Sequence, residues 1–185
     1  MHRMTTSSLL ALGLAVAGPA HPARAQQDSV GLRADLMQDI GVLEQKVVSL
    51  AQAMAPEQYD WTPMTGVRTV GQVYLHIAAN NYFFPTLVGV TAPPASAVTG
   101  DYRSVEAFEA AGGTKEQIVA KLTDSFRHLK AALAQTSDFD RTVNLFGRPA
   151  TVRRVWLDAI THIHEHLGQA IAYARANHVV PPWSR

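Results

Sequence analysis

The chain has 185 residues and 47% hydrophobic content, enough for one domain with a sizeable core and too apolar for general disorder. Its 16 Lys+Arg nearly balance 15 Asp+Glu, with no basic run and no aromatic-basic patch, which argues against a nucleic-acid partner. The absence of cysteine excludes disulfides, a thiolate metal site and a Cys nucleophile.

Residues 1–25 read as a leader rather than as part of the fold. Arg3 is a short positive region, and Leu9 to Ala17 is an apolar run too short to span a bilayer. Gly18 and Pro19 break that run, and Ala23-Arg24-Ala25 has the Ala-x-Ala form of a cleavage site. The expectation is an exported protein, periplasmic or secreted, cleaved near Ala25 and without a membrane anchor in its mature form. Losing Arg3 and Arg24 leaves 14 basic residues against 15 acids, a net charge of −1. Residues 26–185 are then one helical domain.

Asp28 to Met54 reads as the first helix. Leu32, Leu36, Ile40, Leu43, Val47 and Leu50 recur on one face, while Asp39, Gln45 and Lys46 sit off it as a solvated face. Pro56 ends it. In the loop that follows, Trp61 is expected to plug one end of the core. The second helix runs from Thr69 to about Phe84, where Pro85 and Gly89 loosen its end. Val70, Val73, Ile77 and Phe84 form its buried stripe, with His76 beside the stripe and Asn80 one turn on. On this pattern alone His76 reads as a hydrogen-bonded core histidine.

Thr91 to Gly113 is the least regular stretch, with a short helix expected over Ser104–Ala111. A long loop in a compact domain is more often a functional lid than a passive connection. Thr114 opens the third long helix with a capping box to Gln117, and Ile118, Leu122, Phe126, Leu129 and Leu133 face the core. His128 lies off that face and is expected to be exposed. Asp138 to Pro149 connects to the last helix through a turn or short hairpin at Phe146-Gly147-Arg148.

Thr151 to Asn177 reads as one helix of about seven turns, and Val179 to Trp183 is expected to pack back as a tail. This helix carries three of the eight histidines within five residues. At about 100° per residue, His162 and His166 lie about 40° apart on one face, and His164 points nearly opposite. A His pair at i and i+4 can offer two imidazole nitrogens to one metal. The apolar stripe does not decide between His164 and His166, which flank its centre by similar angles. Only the pairing favours His162 with His166. Four long amphipathic helices with one long crossover make an all-α helical bundle, and bundles place metal sites between facing helices.

Several stretches together closely resemble the DinB-like (DinB/YfiT) superfamily. They are Trp61-Thr62-Pro63, Thr69 to Ile77, His162-Ile163-His164-Glu165-His166-Leu167-Gly168-Gln169, Tyr173-Ala174-Arg175 and Pro181-Pro182. The resemblance runs from about Val30 to Trp183. It implies a four-helix bundle of up-down-down-up type, often a homodimer. It also implies a divalent metal, commonly zinc or nickel, held by three histidines. Carried over by position, these are His76, His162 and His166. Characterised members include bacillithiol-dependent thiol transferases and a mycothiol-dependent isomerase, which are cytosolic, unlike an exported chain.

Three neutral imidazoles leave an open coordination position, the catalytic pattern, and iron joins zinc and nickel as a metal that such a set suits. A water bound there would have its pKa lowered towards ~7. Asn80, Asp158, Gln169 and Tyr173 are the candidates to orient the ligands, Asp158 first because it precedes His162 by one turn. Glu165 is a weaker candidate for a general base. Two functions stay open: a metal-dependent hydrolase or group transferase acting on a small molecule, or a non-catalytic bundle that binds metal or ligand.

Overall fold

The computed structural model describes residues 22–184. The expected leader lies outside them except for Pro22–Ala25, which extend the first helix. Five helices dominate: α1 (Pro22–Ala53), α2 (Val70–Leu87), α3 (Arg103–Ala110), α4 (Lys115–Gln135) and α5 (Val152–Ala176). Strands β1 (Thr142–Leu145) and β2 (Arg148–Thr151) form one antiparallel hairpin before α5. Its two-residue turn, Phe146-Gly147, has positive φ at both positions, as a turn matched to the strand twist requires. No helix among the described residues is long and apolar enough to cross a membrane.

Among the four long helices, α1 packs against α4 and α5, and α2 packs against the same two from the other side. The shared core contains Ile40, Leu43, Val47 and Leu50 of α1, Leu122, Phe126 and Leu129 of α4, and Val155, Trp156 and Ile163 of α5. Those of α1 and α4, and Ile163 of α5, lie on the stripes that helical periodicity picks out; Val155 and Trp156 extend the α5 stripe towards its N-terminus.

In α2 the pattern is different. Apart from Gln72, every residue from Val70 to Pro85 is buried. One face meets α4 and α5, and the crossover segment covers the other. There Ala79, Tyr82 and Phe83 form a second small core with Ala92, Val98 and Val105 of α3. Periodicity predicts one buried stripe for α2 because it does not reveal that a lid covers the outer face. The helix also runs past Pro85 to Leu87. A proline this close to a C-terminus disturbs little, and its carbonyl accepts the N–H groups of Val88 and Val90 at 3.1 and 3.0 Å.

Side-chain caps fix where the helices start. Thr114 and Gln117 form the expected box on α4. A second box opens α2: Thr69 Oγ1 accepts the Gln72 N–H at 3.2 Å, and Gln72 Oε1 accepts the Thr69 N–H at 2.9 Å. Thr69→Ala should therefore lower stability by about 1 kcal/mol. Urea unfolding checks it, with the midpoint lowered and the slope unchanged.

Two surface expectations are corrected. His128 is half-buried, its ring 5.4 Å from that of Tyr82, because the crossover closes over this side of α4. Lys46 is half-buried too, its ammonium 5.9 Å from the Trp183 ring centroid where the C-terminal tail packs on α1.

Candidate metal centre

α2 and α5 lie side by side, and this brings His76 to the two histidines of α5. The ring centroids of His76, His162 and His166 are 4.5–5.0 Å apart in all three pairings. One nitrogen from each lies within 4.8 Å of the other two, so the three could hold a metal ion. His76 and His166 are 4% and 8% exposed, and His162 is half-buried. His164 and Glu165 are exposed on the outer side of α5. The tie between His164 and His166 is therefore resolved by packing: α2 lies on the side that His166 faces.

The nitrogens divide into inner and outer sets. Nε2 of His162 is 3.1 Å from Nε2 of His76. Two Nε2 ligands of a tetrahedral ion with bonds of ~2.0–2.1 Å are about 3.3 Å apart, so the spacing fits. The outer Nδ1 of His76 lies 3.0 Å from Glu109 Oε2, and the outer Nδ1 of His166 lies 2.9 Å from Gln169 Oε1. Donation from these Nδ1–H groups leaves Nε2 of His76 and of His166 each with a free lone pair. Nδ1 of His162 is buried with no hydrogen-bond partner.

The candidate orienting residues separate clearly. Gln169 contacts His166, and its amide donates to Tyr173 Oη at 3.1 Å. Tyr173 packs edge-on against Trp61, ring centroids 5.3 Å apart, so the Trp61 loop props this chain of contacts. Asn80 Nδ2 donates to the His76 carbonyl at 2.9 Å and lies 3.4 Å from His76 Nε2. Asp158 turns instead to Arg154, one turn earlier on α5, at 2.8 Å. Spacing places it near His162, but a guanidinium on the same helix is the stronger partner. The residues that sequence reasoning missed are Glu109 and Arg68. Arg68 Nε donates to Glu109 Oε1 at 2.7 Å while the other carboxylate oxygen takes His76. Neither contact leaves a trace in local spacing.

Burial disfavours protonation of the two α5 histidines. Burial pushes the His162 pKa down to about 3, and His166, His76 and Arg68 nearby add to the effect. Burial also lowers His166, only partly offset by its bond to Gln169. Burial alone would raise Glu109, but hydrogen bonds from His76 and Arg68 outweigh it and hold the carboxyl below its ordinary value. Neutral imidazoles beside a carboxylate are the protonation states that a metal site needs.

The pH dependence follows. His162 has a lower pKa folded than unfolded, so its contribution is complete above about pH 6.5 and is lost as pH falls towards 3. The loss is ~1.4 kcal/mol per pH unit in that window, or about 2 kcal/mol between pH 7 and 5 for this group. Urea unfolding of chelator-treated protein at the two pH values measures it. Equal stability at both would contradict a neutral, buried His162.

A cavity of about 400 Å³ lies on the other side of α2, between Tyr82, Pro93, Phe108, Lys121 and His128. None of the five described cavities is lined by His76, His162 or His166.

Comparison with known proteins agrees with this architecture. The sequence pattern of the DinB superfamily matches residues 42–170. A DinB-like protein from Bacillus cereus ATCC 10987 has a similar structure, with TM-score 0.67 and 16% identity over 80% of this chain and 93% of that one. A DinB-like protein from Bacillus subtilis gives TM-score 0.61 and 16% identity over 79% and 94%. A candidate DinB-family member from Exiguobacterium sibiricum 255-15 gives 0.60 and 22% over 78% and 90%. No curated protein matches. With the pattern covering most of its length, this chain belongs to the DinB superfamily.

Proposed function

We propose that His76, His162 and His166 hold a divalent metal, zinc, nickel or iron, and that the protein is a metal-dependent hydrolase or group transferase acting on a small molecule. The observation that carries this reading is the convergence of one ring nitrogen from each of three histidines while Nδ1 of His76 and Nδ1 of His166 are held by Glu109 and Gln169. Among the described residues the donor cluster contains three histidines and no fourth ligand, and a three-ligand set suits a catalytic site better than a structural one. Bound there, a divalent cation supplies Lewis acidity. The protein's part is to fix the His76 and His166 imidazoles through their outer contacts, to bury His162 beside them, and to keep a cation, Arg68, at the rim. Arg68 is 37% exposed.

The same proposal takes the four long helices as a DinB/YfiT-like bundle, exported after cleavage near Ala25, with substrate reaching the site from the Thr91–Gly113 side. Intact-mass measurement of secreted protein tests the export step. A non-catalytic, metal-binding role is the second reading, favoured by the burial of His76 and His166, 4% and 8% exposed. A hydrolase and transferase screen on metal-loaded protein separates the two. Activity that disappears with chelation and returns with metal supports the enzyme. Activity indifferent to metal, or a covalent adduct on Ser or Thr, contradicts it.

A further inference from the structure

Glu109 stands apart from the other groups around the histidines because it comes from the crossover. It sits near the end of α3, a helix of eight residues in which Val105 is the only buried side chain. Beside Val105, Phe108 packs half-buried against Tyr82, ring centroids 5.9 Å apart, so α3 is held by fewer apolar contacts than the long helices, and such elements open locally at lower cost. Its other strong attachment is polar. Glu109, 14% exposed, spans from Arg68 Nε at 2.7 Å to His76 Nδ1 at 3.0 Å. One carboxylate thus ties the lid helix both to the loop before α2 and to a histidine of the metal cluster.

Two consequences follow from the chemistry of that bond. A carboxylate accepting from Nδ1–H fixes which His76 nitrogen carries the proton, fixes the ring orientation, and makes Nε2 a better donor to a cation. A cation on Nε2 in turn makes the Nδ1 proton more acidic and its bond to the carboxylate stronger. Linkage is reciprocal, so whatever Glu109 adds to metal affinity, metal adds to the seating of Glu109. Of the two outer contacts this is the charged one: His166 has a neutral amide, and His162 has no outer partner.

The geometry points to Glu109 as the positioning residue of the metal centre, through which metal binding and the seating of α3 on α2 are coupled. This rests on the metal reading of the three histidines. With metal bound, the lid is held closed over α2. Without it, α3 keeps Val105, Phe108 and the Arg68 pair, and opens more often.

The test uses the full chain with cobalt(II) as the probe, in wild type, Glu109→Ala and Glu109→Gln. Glu109→Ala should weaken cobalt binding about 10–100-fold. Glu109→Gln keeps an acceptor without the charge and should fall between the two, which also serves if the alanine variant folds poorly. Hydrogen exchange of residues 103–110 should slow when wild type binds cobalt, and that response should vanish in Glu109→Ala. If Glu109 merely props the helix, exchange rises in the variant while cobalt affinity stays within twofold of wild type, which overturns the inference alone. Wild type that binds no cobalt overturns the metal reading and the inference together.

Discussion

His76→Ala, His162→Ala and His166→Ala proteins should each lose metal affinity by about a hundred- to a thousandfold. The scale follows from tight zinc sites, where an apparent ~10–16 kcal/mol shared among four ligands is ~2.5–4 kcal/mol for each. The three positions are linked by geometry, since each ring packs against both others at 4.5–5.0 Å between centroids. His164→Ala should bind like wild type, because that ring is exposed on the outer side of α5. A competition titration against a chelator of known affinity gives all four values. A His76→Ala protein that keeps wild-type affinity would remove α2 from the site and leave two ligands on one helix.

The second large effect is on the fold. Phe126→Ala should cost about 3–5 kcal/mol, the usual range for emptying a fully buried aromatic site. Phe126 is 0% exposed and lies mid-way along α4, the helix that packs against both α1 and α2. With no cysteine in the chain, no disulfide shares the load. Typical domain stabilities are ~5–15 kcal/mol, so the variant should sit near the edge of folding. Urea unfolding by circular dichroism measures the change. A loss below about 1 kcal/mol would mean that the α4 core face is not packed as described.

What could be read ahead of the structure was what repeats locally. The stripes of α1, α4 and α5, the Thr114–Gln117 box, the hairpin turn and the short helix near Ser104 all follow from spacing and local chemistry. Pairing His162 with His166 also follows from spacing. His76 came only through the family resemblance, since one histidine beside an apolar stripe looks the same whether it binds metal or fills a core. Contacts between distant segments left no such signal. Glu109 reaches His76 across 33 residues and Arg68 across 41. Asp158 shows the opposite failure: its spacing was suitable, but Arg154 on the same face took its carboxylate. The outer face of α2 was misread for a related reason, because what buries it arrives from the crossover and not from its own sequence.

The most direct test of the central claim is the metal content of protein purified without an affinity tag, measured by elemental analysis alongside the His76→Ala variant. The account predicts a stoichiometric divalent metal in wild type, as isolated or after loading with zinc or nickel and dialysis, and little in the variant. Wild type that stays metal-free after loading, or a variant that retains the same metal as wild type, would contradict it.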